Sequence, residues 1–281
     1  MAADKSMGSG KNTGKKKKRG KGIGTVIVVL LLCVFGFSIF KLFSYYLEYR
    51  EQDKLYEEAV HTYIKELPAS AEKTSDGETG SEDETGSESE NEIVCPVAVD
   101  FDTLFAENKD AVGWLYCEDT NINYPVMQGE DNDYYLHHSY DGQVSKAGAI
   151  FAAAENSPGF TDSNTIIYGH HMKNGSMFAH LADWADQEYF DAHSVMWLLT
   201  PEETYRVDLF AGYLTSVDSA AYTIFTDPCP EFDKYLSEVL AASDVQTTVE
   251  TPKDAHYVML STCEYNFQNA RYVLFGVLRA I

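Results

Sequence analysis

A chain of 281 residues with 44% hydrophobic content has room for one or two domains and a sizeable core, which excludes a wholly disordered protein. Its net charge of −23 is unevenly spread: residues 1–21 hold eight Lys or Arg against one Asp, a local charge of +7 that leaves −30 on the remainder. Five cysteines without paired or CxxC spacing argue against a disulfide framework, and with no HExxH either they argue against a zinc site.

The basic tail at 1–21 precedes nineteen residues without a charge, Gly22 to Phe40. As a helix these span about 28 Å, one bilayer. Lys41 and "LFSYYLEYREQ" follow where a cleaved signal peptide would show small residues, so residues 22–43 read as an uncleaved single-pass anchor. The Lys15–Arg19 cluster then places the N-terminus in the cytoplasm and everything past the anchor outside. On this reading the tail is a topology signal with contacts to anionic lipid, and nucleic acid is not a partner.

Residues 44–68 carry apolar side chains at Leu47, Leu55, Ala59, Val60, Tyr63 and Ile64 among charges, which suits a juxtamembrane helix ended by Pro68. Residues 69–96 are a disordered acidic spacer: Ala71–Glu92 holds nine acidic residues against one Lys. The folded domain occupies 97–281. It opens with a short helix in "FDTLFAENKDAVG", stopped at Gly113, and a strand at Trp114–Cys117. "NINYPVMQ" is a strand whose Pro125 suggests a sheet edge, and "GEDNDYYLHHS" reads as a turn and a short helix. "AGAIFAA", "NTIIYG", "SVMWLLT" and "TYRVDLFAGYLTS" are further strands, whereas "MFAHLADWADQEYFDAH" and "PEFDKYLSEVLAAS" read as helices. Many short strands with few helices predict a mainly β domain, closed or nearly closed into a barrel.

Two stretches carry chemistry. In "HYVMLSTCEYNFQNARYVLFGVL" a strand ends at Cys263 and another begins near Arg271, so a turn between them brings thiol and guanidinium to one end of the sheet. A nearby cation favours the thiolate and offers donors to an oxyanion. A buried core thiol and a surface arginine are the plain alternatives. In "SNTIIYGHHMKNGSMF" an apolar strand runs into Gly169, His170 and His171, presenting imidazole at a loop edge. Arg279 and His171 are the nearest rivals to Arg271 and His170.

"NTIIYGHHMKNGSMF", "LSTCEY" and an arginine eight residues on, in this order, resemble the class B sortases, cysteine transpeptidases of Gram-positive cell surfaces. The resemblance covers about Phe101 to Leu278. One departure is Met259, where many sortases have threonine in a TLxTC pattern. The resemblance implies an eight-stranded barrel with peripheral helices, the active site in a groove on one face. It implies Cys263 as nucleophile, His170 as acid and base, and Arg271 as oxyanion donor. Asn132, Leu136, Ser261 and Glu264 match positions of family peptide contacts, and Tyr222 is added from the loop before the last strand pair. The expected reaction cleaves a C-terminal sorting motif of a surface protein, NPQTN-like or PxTG-like, through a thioacyl enzyme. It then transfers the acyl group to a cell-wall peptide amine or a pilin lysine, with no cofactor and no metal. A cysteine endopeptidase and a non-catalytic tethered binding module are the competing readings. One disulfide among Cys95, Cys117 and Cys229 stays open.

Overall fold

The computed structural model describes residues 21–67, 94–264 and 266–281, so the basic tail and most of the acidic spacer lie outside the described residues. Lys21–Tyr63 is one helix, α1, and its apolar portion is long and apolar enough to cross a membrane. Two compact units divide within it, one up to Glu48 and one from Tyr49 to Ile281. In the first, the apolar side chains from Val26 to Phe43 are exposed. In the second, the last turns of α1 bury Tyr56, Ala59 and Tyr63, spaced to share one helix face. Tyr63 packs on Trp114, 6.3 Å between ring centroids, and Tyr56 meets Tyr124 edge to face at 5.3 Å. The chain then forms β1 (Ile64–Glu66), paired with β2 (Val97–Val99), before α2 (Phe101–Glu107), whose N-cap Asp100 accepts from the Thr103 N–H.

Eight strands close into a barrel: β3 (Ala111–Tyr116), β4 (Asn123–Met127), β5 (Ile150–Ala152), β6 (Asn164–Tyr168), β7 (Val195–Leu199), β8 (Thr204–Ser216), β9 (Tyr257–Cys263) and β10 (Ala270–Ala280). Their order around the wall is β10-β8-β7-β3-β4-β5-β6-β9. Pairing is antiparallel except for β4 with β5 and β6 with β9. A barrel of eight strands leaves interior room for side chains only, so every helix lies outside it. Alternation along β9 and β10 makes the two faces visible. Val258, Leu260, Tyr272 and Leu274 join one apolar cluster, whereas Tyr257, Met259, Val273, Phe275 and Val277 join a second. The second is the layer beneath α5 (Pro230–Ala242), which buries Phe232, Tyr235, Leu236 and Val239 at helical spacing. Met259, fully buried, belongs to this outer layer, where a long apolar side chain fills space under a helix.

The mainly β barrel with outer helices is as expected, and several local readings are corrected. α2 ends at Glu107, not at Gly113; Gly113 lies inside β3 at a register shift against β4, where a Cβ would stand 2.9 Å from the Leu199 carbonyl. Pro125 marks no edge, because β4 has β3 on one side and β5 on the other. β5 pairs only from Val126 onward, so the missing proline N–H interrupts no bond on that side. The segment 177–193 is not one helix. Met177 has φ 58°, a 3₁₀ turn covers Leu181–Ala185, and Asp186 turns extended to cap the short α4 (Gln187–Ala192) through the Tyr189 N–H. α3 (Tyr134–His137) is the short helix expected after the acidic turn.

Candidate functional site

Strand geometry alone puts the thiol, the guanidinium and the imidazole on one face. Side chains alternate along a strand, so Cys263 and Ser261 share the outward face of Met259, and Arg271 shares that of Val273. Arg271 pairs directly with Cys263 across the antiparallel ladder, an arrangement that holds opposite Cβ atoms about 5 Å apart. β6 runs parallel to β9 with Tyr168 opposite Ser261, and the Gly169 N–H continues that ladder to the Ser261 carbonyl at 3.1 Å. His170 therefore leaves β6 at the end where Cys263 leaves β9. All three side chains line one cleft of about 310 Å³, together with Asn132, Leu136, Tyr168, Val217, Tyr222 and Ser261.

The imidazole of His170 is fixed by backbone. Its Nε2 is 2.8 Å from the Leu136 carbonyl, which only accepts, so Nε2 carries a hydrogen. α3 holds that carbonyl in place through buried Tyr135, whose hydroxyl donates to Asp110 at 2.9 Å and accepts from Asn108 at 3.0 Å. His171 faces elsewhere: its Nδ1 is 3.0 Å from the Cys263 carbonyl and 3.2 Å from Glu264 Oε1. It braces the backbone of the nucleophile strand and does not line the cleft.

The opposite wall is aromatic. Tyr222, on the 3₁₀ turn Ala220–Tyr222, stacks parallel to Tyr168 at 6.4 Å, and its hydroxyl is 2.7 Å from Ser261 Oγ. That turn is tied down by Tyr235 Oη donating to the Ala221 carbonyl at 2.9 Å and by Asn164 Nδ2 donating to the Thr223 carbonyl at 2.9 Å. Burial pushes the Tyr168 phenol up to about 12 and raises that of Tyr222, while Arg271 pulls both the other way. Both phenols are thus neutral donors at physiological pH. Arg271 spends one donor on the neighbouring Ala270 carbonyl at 3.0 Å. All five cysteines are free thiols.

The cleft brings together His170, Cys263, Arg271, Asn132, Leu136, Tyr222 and Ser261. Asn132 is held by Glu155, which accepts from its amide at 2.7 Å, and by the Ala154 N–H. Glu264 is not among the lining residues: one position past Cys263, it turns to His171. Arg279, the rival to Arg271, is inside β10 and donates to Asp208 at the far end of the strand, about 26 Å along from Arg271 at 3.3 Å per residue. Tyr168 and Val217 were not anticipated. Tyr168 was within reach, since period two from His170 points back to it; Val217 needs the β8–β10 register, which the sequence does not give.

A family model described as Sortase domain matches residues 115–279. Sortase B of Listeria monocytogenes is 34% identical over 260 residues, covering 91% of this chain and 96% of that protein. Sortase B of Staphylococcus aureus is 26% identical over 250 residues, covering 89% and 91%. Among solved structures, the Staphylococcus aureus sortase B–substrate complex aligns with a TM-score of 0.61 at 27% identity, over 64% of this chain and 85% of that one. A Bacillus anthracis protein similar to sortase B aligns at 0.59 with 36% identity, over 64% and 83%. Barrel order, cleft and these likenesses agree that the chain belongs to the sortase family of transpeptidases, alongside its class B members.

Proposed function

We propose that this sortase is anchored by the apolar part of α1 with its barrel outside the cell, and that it cleaves a C-terminal sorting motif and passes the acyl group to an amine. The observation that carries the reading is the cross-strand pair of Cys263 and Arg271 in a cleft that His170 also lines. The Cys263 thiolate attacks the scissile carbonyl, and the negative charge gathering on that oxygen is met by Arg271 donors. Because His170 Nε2 is committed to the Leu136 carbonyl, Nδ1 is the nitrogen that exchanges a proton. As the C–N bond breaks, Nδ1–H protonates the leaving amine, leaving a thioester on Cys263. An incoming amine then attacks the thioester, gives its proton to Nδ1, and the thiolate departs. Neutral Tyr168 and Tyr222, with Ser261 and Asn132, line the path of the peptide as hydrogen-bonding and stacking partners. The acceptor is a cell-wall peptide amine or a pilin lysine, and the substrate is a surface protein bearing the sorting signal.

The test incubates the protein with a panel of sorting-motif peptides, NPQTN-like and PxTG-like, with and without a primary amine. Expected are an acyl adduct on Cys263 by mass spectrometry and an amide product that grows with amine concentration. Hydrolysis alone at saturating amine would convert the reading to an endopeptidase. No adduct with any peptide, together with a Cys263→Ala strain that still anchors its surface proteins, would leave a binding module.

A further inference from the structure

The last turns of α1 reach the loops on both sides of His170 through hydrogen bonds as well as apolar packing. On one side Gln52 Oε1 accepts from Ser145 Oγ at 2.6 Å and Tyr56 Oη donates to the Gly148 carbonyl at 2.7 Å. On the other, Asp53 Oδ1 accepts from Asn174 Nδ2 at 2.8 Å. Ser145 and Gly148 belong to the connection entering β5, whereas Asn174 belongs to the loop that leaves His170. Residues 52, 53 and 56 are neighbours on one helix face, so a single rigid element ties down both loops.

Gly148 is where this reaches the imidazole. Its φ is +60°, and a Cβ built there would come within 2.5 Å of the Tyr135 carbonyl, 3.0 Å of the Leu136 carbonyl and 3.1 Å of His170 Cδ2. A side chain at 148 would strike both the ring and the carbonyl that takes its Nε2–H, so the Gly148 backbone runs close beneath them as a floor. Tyr56, buried, holds that floor from the other side. Its ring also rests on Tyr124, whose hydroxyl accepts from the Met177 N–H at 3.0 Å, at the return of the same histidine loop.

We propose that Tyr56 is a positioning residue for proton transfer: by binding the Gly148 carbonyl it sets the height of the floor beneath His170. This helix is then a working part of the active site, although none of its residues lines the cleft. This rests on the assignment of His170 as acid and base. It is tested on the full-length chain in detergent micelles, with Tyr56→Phe, which deletes only the hydroxyl, and Glu58→Ala, an exposed change on the same helix, as control. Two readouts are taken: steady-state kinetics with a sorting-motif peptide, and the ring ¹⁵N resonances of His170, identified by their loss in His170→Gln.

Tyr56→Phe is expected to lower kcat about tenfold at unchanged KM, the cost of a reacting group slightly out of place. It should also turn the single Nε2–H tautomer into a mixture, whereas Glu58→Ala changes neither. Wild-type kcat and wild-type ring resonances in Tyr56→Phe would overturn the proposal. Should that variant fail to fold, Gln52→Ala, at the edge of the same face, predicts loss of the same sign, and its absence overturns the proposal equally. If the wild type itself forms no acyl-enzyme, the transferase reading falls, while the ring resonances still report separately whether Tyr56 holds the imidazole.

Discussion

Cys263 differs from Cys95 and Cys117 in what surrounds it. Cys95 and Cys117 are buried, and burial raises both thiols, that of Cys117 up to about 12, so neither supplies thiolate at neutral pH. A thiol-directed reagent at pH 7 is expected to modify Cys263 in the folded protein and to reach Cys95 and Cys117 only after denaturation. Equal labelling rates in the native state would contradict this. The same burial fixes a sign for stability. Cys117 has its folded value above the ordinary 9.0, so its contribution is complete below about pH 9 and is lost as pH rises toward 12. Thermal midpoints followed across that window should fall, and fall later in Cys117→Ala; a midpoint flat to pH 12 would refute the assignment. At Arg271, a lysine keeps the charge and loses the fork, and acylation should drop about 100-fold. Near-normal acylation by Arg271→Lys would remove the guanidinium from the proposed oxyanion site. The meeting of Cys263, Arg271 and His170 at one end of the barrel was legible because each stands at, or just past, a strand end that sequence pattern can locate. Glu264 was misread as a groove residue for a reason of the same kind, since adjacent positions at a strand end face opposite ways and its neighbour Cys263 already takes the cleft side.

At the scale of elements, the sequence placed a strand at each of the eight barrel strands, most sharply at β6 to β10, whose period is carried by β-branched and aromatic residues. What it hid depended on partners far away. Pro125 reads as an edge until β5 is seen to pair only beyond it. The stretch 177–193 reads as a helix until Asp186 is seen capping a new turn within it. The wall carrying Tyr222 is another such case, because the bonds that hold it come from α5 and β6. Tyr235→Phe, which deletes the donor to Ala221, should cost about 1 kcal/mol of stability. It should also raise KM for the peptide by loosening the Tyr222 turn. A variant with lowered stability and unchanged KM would separate that turn from peptide binding.

For the whole molecule, the apolar helix and the compact unit from Tyr49 onward make distinct predictions. Removing residues 1–43 is expected to give a soluble, active protein, because no residue before Tyr49 belongs to that unit. Removing residues 1–96 strips Tyr56, Ala59 and Tyr63 from their apolar contacts, at about 2 kcal/mol for each large side chain uncovered. The shorter fragment should melt well below the longer one and show impaired turnover. Equal melting of the two would mean that the helix face contributes nothing to the barrel.

The order of strands around the wall also bears on when such a protein becomes active as it is made. β9 slots between β6 and β10, joining residues 164–168 to residues 257–261, and the barrel is open until β9 and β10 have both emerged. Closure over so long a stretch of chain belongs to the slow class of folding events. On the proposed assignment the thiol arrives on the penultimate strand and its arginine partner on the last, so an incomplete chain carries no assembled site.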